Sequence, residues 1–65
     1  MNLLAMFRRP SALDREVRAE IWRLGARHNG WPLEGAQREL EDPDLTAESA
    51  QLLRACVRKL KEQAA

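Results

Sequence analysis

The sequence predicts an all-α fold: a small three-helix bundle, or a helical hairpin with a short middle helix, with a short N-terminal segment packed on it. Three observations lead there. Apolar residues recur at spacings of three and four in three separate stretches; cap and breaker residues fall between those stretches; and no segment has the alternation or β-branched richness of a strand. With 65 residues, the chain can form one domain, residues 1–65, around one modest core. The N-terminal segment is residues 1–10, and helices are expected over about 11–28, 32–42 and 46–63.

The first helix has a start signal in Pro10, Ser11 and Asp14: a serine able to cap the exposed amides, and an acid three residues on. Leu13, Val17, Ile21, Leu24 and His28 then share one face, which is expected to be the core face. Gly25 weakens the last turn. Asn29 and Gly30 tolerate the left-handed backbone that closes a helix.

Pro32 is suited to the first position of the second helix, because its missing N–H would have no helical partner there. Leu33, Ala36 and Leu40 fall on one side, and Glu34 and Arg38 are spaced to pair along the surface. Gly35 costs helicity but permits another backbone to come close. Asp42, Pro43 and Asp44 stop the helix, since the residue before proline avoids helical angles. Thr46 is the expected cap of the third helix, with a weak staple between Leu45 and Ala50. Ala50, Leu53, Val57 and Leu60 make its stripe, widened by Leu52 and Cys56, and Arg58, Lys59 and Lys61 favour its negative end.

The formal net charge is only +1, which argues against a surface dominated by phosphate contacts. Its distribution is uneven. Residues 8–28 carry six arginines against three acids (+3), residues 34–48 carry six acids against Arg38 (−5), and residues 49–65 return to +3. Arginine outnumbers lysine nine to two, which fits a GC-rich bacterial genome. A single cysteine, Cys56, forms no internal disulfide, so a cytoplasmic setting is expected. The apolar run from Met1 to Phe7 is too short to span a bilayer, and its arginines follow it instead of preceding it as in a secretory signal.

Enzymatic chemistry is not expected. One histidine and one cysteine could form a pair across two helices, but Cys56 reads better as a small core residue and His28 as a helix-end residue. There is no zinc-ligand spacing, no calcium-loop pattern and no glycine-rich phosphate loop, so neither a metal nor a cofactor is expected.

Two candidate contact surfaces remain. Trp22 lies roughly opposite the core stripe of the first helix, beside Arg15 and Arg18. Either Leu3 to Phe7 fold back over it, or it anchors a contact, as tryptophan and arginine do in binding hot spots. Trp31 reads first as a plug for the end of the core and second as a contact residue. The other surface is the acidic stretch of Glu39, Glu41, Asp42 and Asp44, followed by Glu48, which suits a basic partner surface or the arginine-rich first helix of a second copy.

The leading expectation is therefore a non-enzymatic protein-binding module. It would be a small bacterial adaptor or inhibitor, of the kind phage or mobile elements carry, docking on a larger assembly such as one that handles nucleic acid. Two alternatives follow: a nucleic-acid-binding regulator using Arg15, Arg18, Arg23 and Arg27, and a peripheral membrane protein anchored by residues 1–9. The acidic second helix disfavours direct nucleic-acid contact, and single short anchors bind membranes weakly.

Overall fold

In the structure, a computed structural model that describes residues 12–64, three helices follow one another. They are α1 (Ala12–Arg27), α2 (Pro32–Glu39) and α3 (Ala47–Ala64). Each helix packs against both others, so of the two expected architectures the bundle forms. The expected Ser11 cap and the packing of residues 1–10 lie outside the described residues.

The turn signals act as their chemistry dictates. After α1, Asn29 (φ 56°) and Gly30 (φ 86°) are both left-handed, and the Gly30 amide reaches back to the Gly25 carbonyl at 2.7 Å, the six-to-one bond of a Schellman cap. The chain thereby reverses within four residues. Pro32 takes the first turn of α2, and the Gly35 amide bonds the Trp31 carbonyl at 2.9 Å. At the start of α3 the Ser49 amide donates to Thr46 Oγ1 at 3.1 Å, as a threonine cap requires.

α2 stops at Glu39, three residues short of the expected Asp42. The last residues tighten into turns, with the Glu41 and Asp42 amides bonded to the Arg38 and Glu39 carbonyls at 3.1 Å. Asp42 cannot remain helical before Pro43. It instead accepts the Asp44 amide on its own carboxylate at 2.9 Å, which fixes the bend.

The core comprises Val17 and Leu24 from α1, Ala36 from α2, and Leu53, Ala55 and Cys56 from α3. Ile21, Leu40, Leu45, Leu52 and Val57 pack around it, half-buried. Leu13 departs from the expected stripe, being 53% exposed. It lines an open α1/α3 groove together with Glu16, Leu52, Ala55 and Arg58. α1 and α3 run antiparallel: Val17 meets Cys56, whereas Glu20, further along α1, meets the earlier residues Ser49 and Leu52.

Candidate functional site

α1 distributes its arginines between two surfaces. Along the edge that meets α2, a chain of charges is closed by geometry. Arg23 donates to Glu20 at 2.9 Å, and Arg27 donates to the other oxygen of Glu20 at 2.8 Å. Arg27 also holds both oxygens of Glu39 at 3.0 Å, and Glu39 Oε2 lies 2.6 Å from His28 Nε2. The bidentate Arg27–Glu39 pair ties the last turn of α1 to the last turn of α2. It is a structural clamp.

The electrostatic consequences follow from the contacts. Hydrogen bonds that Arg27 donates to Glu39 first, and then to Glu20, raise the affinity of its guanidinium for its proton above its ordinary value. The same Arg27 contact holds the Glu39 carboxyl below the usual carboxylate range, against the opposing effect of desolvation.

Gly35 completes this corner. A Cβ there would fall within the His28 imidazole, only 2.9 Å from Nε2 and nearer still to the ring carbons. The close approach expected at this glycine is made by the imidazole, not by another backbone.

The opposite surface of α1 is open. Trp22 is 80% exposed, and neither Arg15 nor Arg18 forms an ion pair with any described residue. Arg18 and Ala26 lie one turn to either side of Trp22 on the same face. The expected cover by Leu3 to Phe7 involves residues outside those described.

Trp31 does not plug the core. It is 63% exposed at the α1–α2 turn and borders a cleft lined by His28, Glu34, Gly35 and Arg38. Its position before Pro32, at the cap of α2, turns it away from the bundle (φ −117°, ψ 69°). Glu34 and Arg38 do not pair with each other as their spacing suggested.

The acidic stretch is divided by the fold. Glu39 is engaged inside the molecule, while Glu41, Asp42, Asp44 and Glu48 are exposed and form no ion pair with a described residue. The structure thus brings together Trp22, Arg15 and Arg18 on one face and four acids at another. The internal Arg27–Glu39–His28 contacts were missed by sequence reading. Their available signal was that Gly35 and Glu39, four apart, flank the apolar side of the second helix.

Cys56 and His28 meet different partners. The Cys56 sulfur is fully buried and points to the Val17 carbonyl at 3.8 Å, and burial pushes its thiol pKa up. Among the described residues, no three His, Cys, Asp or Glu side chains converge as a metal site would require, and no helix is long and apolar enough to cross a membrane. Comparison of the chain with protein-family models, with curated proteins and with solved structures finds no match.

Proposed function

We propose that this chain is a non-enzymatic protein-binding module, an adaptor or small inhibitor that docks on a larger protein through the outer face of α1. One observation carries the reading: an indole 80% exposed, standing beside two arginines that no described residue neutralises. Burying such a side chain against a partner gains on the order of 2 kcal/mol from apolar area alone. The arginines add directional hydrogen bonds to carboxylates or carbonyls at the rim. A cytoplasmic setting accords with the single, buried, free cysteine.

The same distribution favours protein over nucleic acid as the partner. Of the four arginines in α1, Arg23 and Arg27 are held by Glu20 and Glu39, which leaves Arg15 and Arg18 as a small cationic patch around a large apolar side chain. Phosphate-dominated binding calls for a denser array of free cations.

The test is capture of partners from a bacterial lysate by the tagged chain, with Trp22→Ala and Arg15→Gln/Arg18→Gln as controls of unchanged helicity. A specific protein retained by the wild type and released by both controls supports the reading. An equal catch in all three overturns it.

A further inference from the structure

Among the charges that form no ion pair with a described residue, two groups are complementary, the arginines beside Trp22 and the acids of the bend between α2 and α3, and the described helices hold them on different sides of α1. Glu20 faces the acidic side of the bundle, where it borders Glu39, Leu45 and Ser49. Trp22, two residues on at about 100° per residue, is turned about 160° away from Glu20 around the helix. The bend carrying Glu41, Asp42 and Asp44, with Glu48 just beyond, therefore sits on the opposite side of α1 from Trp22, Arg15 and Arg18. Neither group forms an ion pair with a described residue.

We infer that the acidic bend of a second copy docks on the Trp22 face, so that the chain associates head to tail. This rests on the reading of that face as a contact surface and names a second copy as its occupant. A symmetric pairing of two Trp22 faces would gather the arginines of both copies around two indoles with no acidic patch to oppose them. The heterologous arrangement places Arg15 and Arg18 against exposed carboxylates and lets Trp22 cover the bend around Pro43. The bend is already shaped for this, because the Asp44 amide on Asp42 and the Leu45 amide on the Asp42 carbonyl, at 2.9 and 3.2 Å, fix its backbone before contact. Every copy presents both surfaces, so one contact leaves another free at each end, and growth continues unless the rotation closes a ring.

Sedimentation or light scattering of the full chain across a concentration series tests this directly. At low salt the weight-average mass should rise to at least about twice the 7.5 kDa monomer and return towards the monomer at high salt. Two half-blocked variants isolate the geometry: Arg18→Gln/Trp22→Ala keeps the bend, and Asp42→Asn/Asp44→Asn keeps the Trp22 face, with asparagine still able to form the turn. Each alone should be monomeric, and their equimolar mixture should form a capped one-to-one dimer and nothing larger. A wild type that stays monomeric at low salt, half-blocked variants that each still associate like the wild type, or a mixture that fails to pair would each overturn the proposal. A monomeric wild type whose lysate partner is nevertheless lost in Trp22→Ala would overturn self-docking alone and leave the protein-binding reading standing. Self-association together with partner capture that is indifferent to Trp22→Ala would instead count against the larger-partner reading.

Discussion

The two ends of α1 carry the same residue type for opposite purposes. Arg23 and Arg27, near its end, face carboxylates of the same molecule and are held at 2.8–3.0 Å. Arg15 and Arg18, in its first half, have Trp22 for a neighbour and no described acid as an ion-pair partner. What separates the pairs is what the fold places opposite them. α2 returns across the end of α1 and brings Glu39 with it, whereas Trp22 itself stands 80% exposed. Substitution should therefore divide these residues into those that change stability and those that change contact.

The largest effect is expected where α1 is wholly enclosed. Leu24 is fully buried, and Leu24→Ala should cost about 2–5 kcal/mol, enough to unfold much of so small a domain, as a urea titration followed by circular dichroism would record. At the α1–α2 corner, Gly35→Ala should destabilise by about 1–3 kcal/mol, because the new methyl displaces the imidazole and with it the contact to Glu39. In a His28→Ala background the same substitution should become stabilising by up to about 1 kcal/mol, since only the helix preference for alanine remains. A double-mutant cycle reads that change of sign, and a Gly35→Ala cost equal in both backgrounds would refute the packing.

Smaller effects are expected from the clamp itself. Arg27→Ala or Glu39→Gln should cost about 1 kcal/mol, a value held down by the partial exposure of Arg27 (42%) and Glu39 (28%). The Glu39 carboxyl is held below its unfolded pKa by Arg27, so its contribution is complete above the ordinary carboxylate range and is lost as pH falls through the depressed folded value. Glu39→Gln should accordingly flatten the acid side of a stability-versus-pH curve. Trp22→Ala should change stability least, within about 0.5 kcal/mol, while abolishing the contacts made by that face.

Much of the fold was legible in the sequence because its signals are local. The Thr46 cap, the Asn29–Gly30 closure and Pro32 at a helix start each act within one turn, and each is found where expected. What escaped was set across turns. Glu39 was grouped with the acids next to it in sequence, although its partners Arg27 and His28 lie twelve and eleven residues earlier and meet it only after α2 folds back. Leu13 shares the period of the core stripe, yet periodicity carries no information about whether another helix covers that turn. Trp31 shows the same limit: its size suggested a plug, and its cap backbone turned it outward. At the candidate site, the angular separation of Trp22 from the core was visible in the sequence. That Arg15 and Arg18 form no ion pair with a described carboxylate required the packed structure.

The free state of Trp22 is most directly tested by fluorescence quenching in a Trp31→Phe variant, where Trp22 is the only indole, at a concentration and salt that keep the chain monomeric. A red-shifted emission quenched by acrylamide almost as readily as in the unfolded chain is the expected result. A blue-shifted emission protected from acrylamide in the monomer would mean that the molecule covers this face itself, and would contradict its role as an open contact surface.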